Sequence, residues 1–185
     1  MSWTQAVPLT SLKLIEKLAH DKDASIIDVG GGDSTLVDHL LEAGYQNITV
    51  LDVSAKALQR TQQRLGHLAA NVKWIEADIT SFIPLANYDV WHDRAVFHFL
   101  TTEPQAQAYL DLANKAVKGY LIIGTFSDTG PDRCSGLPVK QYSEAGLEAR
   151  MNLFFEKINC HTENHTTPFN TIQNFLFCSF KKRAA

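Results

Sequence analysis

The stretch Ile27-Asp28-Val29-Gly30-Gly31-Gly32-Asp33-Ser34 combines an apolar run, a glycine triplet and two carboxylates. Glycines between a strand and a helix let backbone approach a ligand closely, and the helix start adds N–H groups with no partner of their own. About twenty residues after Gly32 comes Asp52, in Val50-Leu51-Asp52-Val53. A carboxylate at that spacing accepts hydrogen bonds from the two hydroxyls of a ribose. Asp78, in Glu76-Ala77-Asp78-Ile79, follows the next apolar run in the same way. A tight turn would explain the triplet alone; three acidic residues at successive strand ends point instead to a ligand. The dinucleotide pattern G-x-G-x-x-G is broken, because Thr35 stands where its last glycine belongs.

The elements that must hold these residues are short and alternate. Thr10 or Ser11 caps a helix through Leu12, Ile15 and Leu18 that ends near His20. Ser25–Val29 reads as a buried parallel strand, because it does not alternate in polarity. Leu36, Val37, Leu40 and Leu41 recur at helical spacing before Gly44, and Asn47–Leu51 is a second strand. Ser54 caps a helix closed by Gly66. Val72–Ile75, Tyr88–His92 and Tyr120–Phe126 read as strands, with a helix from about Glu103 to Val117. Such alternation predicts an α/β fold: a Rossmann-like, doubly wound, mostly parallel sheet of about seven strands. Ser127–Tyr142 is a long loop leaving the carboxyl end of the fifth strand, of a length typical of lids and binding loops, and Ser143 caps a short helix to about Met151. Leu153–Cys160 and Thr171–Lys181 are expected to form an antiparallel C-terminal strand pair joined by His161–Asn170.

The chain has 185 residues, 45% of them hydrophobic and 20% charged, which predicts one domain over 1–185 and excludes a disordered or collagen-like chain. A net charge of −3 argues against wrapping a nucleic-acid backbone. Cys134, Cys160 and Cys178 are odd in number and lack C-x-x-C spacing, so neither a disulfide framework nor a zinc site is expected. No signal-peptide pattern opens the chain and no apolar run spans a bilayer. The expectation is a soluble, cytoplasmic, reduced protein with no membrane partner.

With these motifs the chain resembles the class I S-adenosylmethionine-dependent methyltransferases of the small, single-domain kind. The resemblance runs through the motifs from about Ser25 to Phe126 and continues into the final strand pair. Asp28, Gly30 and Gly32 match the family's acidic-glycine motif, around Gly31, with Ser34 in place of the third glycine. The resemblance implies that Asp52 binds the ribose, Val53 packs on the adenine, Asp78 reaches the adenine amino group and Ile79 lies against the ring. The family's fourth motif falls at Tyr88–Arg94, ending in His92-Asp93-Arg94, where the strand end faces the methyl group and the acceptor. The Asn/Asp-Pro-Pro-aromatic and Pro-Cys motifs of nucleic-acid methyltransferases are missing there, so no nucleic-acid acceptor is expected.

The implied cofactor is S-adenosylmethionine, with S-adenosylhomocysteine as product, and the implied reaction is in-line methyl transfer to a small-molecule acceptor. The compact length favours that acceptor over a protein one; a lysine-type protein methyltransferase and a non-catalytic binding module remain alternatives. A base is needed only for an acceptor protonated at working pH. Asp93, His98 and His165 are the catalytic candidates, and His92 joins the cofactor set. His98 could equally be a half-buried helix residue between Phe97 and Phe99, and Asp93 a helix N-cap. Arg94, Arg133 and Cys134 are candidate substrate contacts, Arg133 for an anionic acceptor and Cys134 more a structural residue than a nucleophile. His165 matches, by position, a histidine that faces the acceptor in the tellurite- and thiol-modifying members. His161 and His165 lie four apart, but with no third ligand evident no metal is expected.

Overall fold

A computed structural model describes residues 5–167 and 170–184. Met1–Thr4 and part of the expected His161–Asn170 connection lie outside them. The elements in chain order are α1 (Leu9–Leu18), β1 (Ile26–Val29), α2 (Leu36–Glu42), β2 (Ile48–Asp52), α3 (Ala55–Leu65), β3 (Val72–Glu76) and β4 (Tyr88–Arg94). There follow α4 (Glu103–Ala116), β5 (Val117–Phe126), β6 (Arg133–Cys134), β7 (Leu137–Pro138), α5 (Glu144–Met151), β8 (Phe155–Thr166) and β9 (Ile172–Lys182).

One seven-stranded sheet has the order β3-β2-β1-β4-β5-β9-β8. The first five strands pair in parallel, while β9 runs antiparallel to both β5 and β8. The order reverses at β1, between β2 and β4, which opens a crevice at the carboxyl ends of these strands. Apolar layers cover both faces. Ile15, Leu36, Val37, Leu40 and Leu58 from α1, α2 and α3 pack on Ile26, Val50, Val90 and Ile122. On the other face, Tyr109, Leu110 and Ala113 of α4 and Leu147 and Met151 of α5 pack on Trp91, Leu121 and Ile123. The strands are apolar on both sides because both sides are covered; all four residues of β1 are buried.

Local signals behave as their chemistry demands. Ser54 Oγ accepts the Ala57 N–H at 3.2 Å to cap α3, and Gly66 ends that helix with φ +59°. Ser143 Oγ accepts the Gly146 N–H at 3.1 Å to start α5. The first helix is a correction: it begins at Leu9 behind Pro8, with no side-chain cap. Ser11, one of its two expected caps, instead bonds His92 of β4.

The C-terminal pair needs two further corrections. β8 continues through His161 to Thr166, so the segment expected to connect the hairpin is mostly strand. As the last strand of the sheet, β8 has one unpaired edge, which suits polar residues. Cys160 and Cys178 face each other across β8 and β9 with Cα atoms 4.1 Å apart and form a disulfide. Only Cys134 is a free thiol, and it is buried. Among the described residues no helix is long and apolar enough to cross a membrane.

Candidate active site

The glycine turn is built by contacts that exclude side chains. Gly30 has φ +73°, and a Cβ there would meet Val96 Cγ2 at 2.1 Å. Gly31 donates its N–H to the Leu51 carbonyl at 3.3 Å, holding the turn against β2. At Gly32 a Cβ would lie 2.5 Å from Asp52 Oδ2 and 2.7 Å from Ala57 Cβ. Without one, the Gly32 N–H donates to Asp52 Oδ2 at 2.9 Å, while the Ser54 N–H donates to Asp52 Oδ1 at 2.8 Å. Burial raises the Asp52 carboxyl above its usual range, against the pull of these two N–H groups. Asp78 is held down instead: Oδ1 accepts the Thr80 hydroxyl at 2.7 Å and the Thr80 N–H at 2.8 Å.

Gly30, Asp52, Val53, Asp78 and Ile79 border one cavity of about 570 Å³ at the carboxyl ends of β1, β2 and β3. Arg94, Ala95, Val96, Phe99 and Leu100 continue its wall after β4. One contributor lies outside the sequence expectation. Asp33 borders the cavity, gripped by Arg60 through Nε at 2.8 Å and Nη2 at 2.6 Å. Ser135, Leu137 and Pro138 reach it from the β6–β7 hairpin, inside the loop after β5 that is too rich in sequence for a mere connection. The Gly- and Pro-containing composition of that loop was the available signal.

Several expected site residues lie elsewhere. Asp28 and His92 are both buried, His92 Nδ1 bonding Asp28 Oδ1 at 2.7 Å and His92 Nε2 bonding Ser11 Oγ at 2.9 Å. They tie α1 to the sheet beneath the glycine turn and do not border the cavity. Ser34 Oγ accepts the Leu36 N–H at 3.1 Å and belongs to the start of α2.

Asp93 is wholly buried. Its Oδ1 accepts the N–H groups of Val96 and Phe97 at 3.0 and 3.2 Å, and Oδ2 accepts the Tyr109 hydroxyl at 2.7 Å. Burial pushes its carboxyl up to about 6 despite these donors. It is therefore a turn cap, the second of the two roles its sequence position allowed. His98 sits between the rings of Phe99 and Phe126, both centroids 4.7 Å away, with neither ring nitrogen hydrogen-bonded. Burial pushes its pKa down to about 3, so it stays neutral, and it does not border the cavity. His165 is buried on β8, its Nδ1 bonding Gln5 Nε2 at 3.2 Å beside a separate hollow formed with Ala6 and Val7.

Arg133 is exposed and donates to its own hairpin at the Gly136 carbonyl, 3.2 Å away. Cys134 packs with Ala95, Phe126 and Phe177, where burial raises its thiol pKa. Neither borders the cavity. Of the three expected substrate contacts, Arg94 alone does.

A family model described as a methyltransferase domain matches residues 26–119, just over half of the chain. Among solved structures, the N-methyltransferase NodS from Bradyrhizobium japonicum WM9 is 18% identical, with a TM-score of 0.75 over 95% of this chain and 94% of that one. Its complex with S-adenosyl-L-homocysteine matches at 17% identity and a TM-score of 0.75, covering 95% and 87% of the two chains. The Burkholderia thailandensis 1,6-didemethyltoxoflavin-N1-methyltransferase, bound to 1,6-didemethyltoxoflavin and S-adenosylhomocysteine, is 18% identical, with a TM-score of 0.74 over 96% and 78%. No curated protein sequence matches the chain. The strand order, the glycine turn and the family match agree: the chain belongs to the methyltransferase-domain family and has the fold of class I S-adenosylmethionine-dependent methyltransferases.

Proposed function

We propose that the chain transfers the methyl group of S-adenosylmethionine to a small-molecule acceptor. One observation carries this reading: Asp52 and Asp78, at the ends of adjacent strands, border the same cavity as the Gly30 turn. The donor set fits an adenosyl ligand. Asp52 keeps lone pairs for ribose hydroxyls while its two N–H partners hold it still. Asp78, kept ionised by Thr80, accepts from an exocyclic amine, and the Val53 and Ile79 side chains flank the ring. When bound, S-adenosylmethionine supplies a methyl group on a sulfonium that is already a good leaving group.

The protein's own task is then positioning and water exclusion. Asp93 is a positioning residue, since it fixes the N–H groups of Val96 and Phe97 and so the turn that walls the cavity beyond β4. Neither Asp93 nor His98 reaches that cavity, which favours an acceptor that needs no protein base, such as an amine that is neutral at working pH. A cavity of about 570 Å³ is in the range of small-ligand sites. The Burkholderia neighbour, solved with 1,6-didemethyltoxoflavin and S-adenosylhomocysteine bound, supports the small-molecule reading. A cytoplasmic setting belongs to the same proposal.

The test is to incubate the chain with methyl-labelled S-adenosylmethionine and a cell extract split into protein and low-mass fractions. Label appearing in the low-mass fraction supports the reading. Label confined to protein bands would replace it with a protein methyltransferase.

A further inference from the structure

Arg94 closes β4 with its side chain on the α1 face of the sheet, over the ring of Phe175 at 5.1 Å. It is only 8% exposed, and its Nε is fully buried with no hydrogen-bond partner. Among the described residues its guanidinium makes no hydrogen bond or ion pair at all. Two carboxylates, Asp28 and Glu163, lie close enough to favour its charge, yet neither hydrogen-bonds it. Asp28 Oδ1 bonds His92 while its buried Oδ2 has no hydrogen-bond partner, and Glu163 Oε2 accepts the Thr10 hydroxyl. Burial lowers the Arg94 pKa to about 10, which still leaves it charged at neutral pH.

A buried cation with no hydrogen-bonded partner is expensive, and native proteins tolerate one where a ligand completes it. A guanidinium offers a planar fork that matches a carboxylate. The acidic surroundings select further: Asp28, Asp52, Asp78 and Glu163 oppose a doubly charged phosphate more than a single carboxylate. Beyond Arg94 the cavity wall turns apolar, with Val96, Phe99, Leu100, Leu137 and Pro138.

We propose that Arg94 anchors the methyl acceptor, and that the acceptor is an apolar small molecule bearing a carboxylate. This rests on the methyltransferase reading above and narrows its substrate class. A carboxylate could also come from the aminoacyl end of S-adenosylmethionine, so the test separates the two sources.

The full chain and its R94K and R94M variants are titrated with S-adenosylhomocysteine and with 5′-methylthioadenosine, which lacks the aminoacyl carboxylate. The S-adenosylhomocysteine complexes are then titrated with benzoate and with benzamide. Binding is followed by calorimetry and by the Arg94 Nε–H resonance, which the variants assign. We expect benzoate to bind the wild-type complex and shift that resonance, and benzamide to do neither. R94M should weaken benzoate at least about tenfold, R94K should fall between, and S-adenosylhomocysteine affinity should stay within about threefold in both.

A tenfold loss of S-adenosylhomocysteine in R94M, with 5′-methylthioadenosine unchanged, would give Arg94 to the cofactor and overturn the acceptor assignment. Benzoate that fails to bind the wild-type complex, or binds R94M equally well, would overturn it too while leaving methyl transfer standing. Wild type that binds neither adenosyl ligand would instead remove the reading beneath it.

Discussion

The Gly32 N–H donates to Asp52 Oδ2 across 2.9 Å, so the carboxylate at the tip of β2 also fastens the glycine turn after β1. Turn and carboxylate are one unit. Gly32→Ala would press its Cβ into Asp52 Oδ2 and Ala57 Cβ, both inside 3.0 Å. The expected outcome is a destabilisation of about 1–3 kcal/mol, typical of overpacking, and a loss of S-adenosylhomocysteine affinity of about tenfold or more. Urea unfolding and calorimetry read the two effects separately.

Ser11→Ala should lower stability alone. It leaves His92 Nε2 without its partner under α1, at a cost of about 1–3 kcal/mol for a buried unsatisfied group. Because His92 stands outside the cavity, affinity for S-adenosylhomocysteine should not change. A matching loss of affinity would mean that the Ser11-His92-Asp28 chain supports the glycine turn directly.

Asp93 and His98 pull stability in opposite directions with pH. Asp93 has a folded pKa raised from 3.8 to about 6, so the folded protein binds more protons and loses stability as pH rises through that window. His98 has a folded pKa lowered from 6.5 to about 3, so the unfolded chain binds more protons and stability is lost as pH falls from 6.5. Between about pH 4 and 6 their slopes nearly cancel, each being about 1.4 kcal/mol per pH unit at most. Asp93→Asn removes one side of the balance. Its unfolding free energy should fall more steeply than wild type's from pH 6 to 4, measured in urea at constant ionic strength. Parallel curves for the two proteins would contradict the burial of Asp93 as an acid.

The Cys160–Cys178 bond predicts a thiol count. Unfolded without reductant after oxidative preparation, the chain should show one reactive thiol, that of Cys134, and three after reduction. Reduction should lower stability by about 3 kcal/mol, the entropy of a loop of this size. Three thiols before reduction would show that the pair stays open.

How much of this was legible in sequence depended on the range of the interactions. The β1-glycine-α2 unit, Asp52 and Asp78 were readable because a short apolar run, a turn and a carboxylate at a strand end are local features. The helix over Ala55–Leu65 was readable for the same reason, with Ser54 and Gly66 at its ends. The extension of β8 was not. His161–Thr166 is polar because an edge strand with solvent beside it carries no apolar pattern, and only pairing with β9 makes it a strand. The disulfide was hidden with it, because the pairing of Cys160 with Cys178 is a property of that register. Asp93, His98 and Arg94 illustrate the limit at the site itself. Three titratable residues within a six-residue stretch differ in role only through what Tyr109, Phe126 and Phe175 place beside them.

The central claim is an adenosyl pocket held by Asp52, and ligand-induced stabilisation tests it most directly. At about 100 times its dissociation constant, S-adenosylhomocysteine should stabilise the wild type by about 2.7 kcal/mol, a rise in Tm of about 5–10 °C for a chain of this size. Asp52→Ala at the same ligand concentration should lose most of that rise, and NAD should give none with either protein. A shift with NAD and none with S-adenosylhomocysteine would contradict the account.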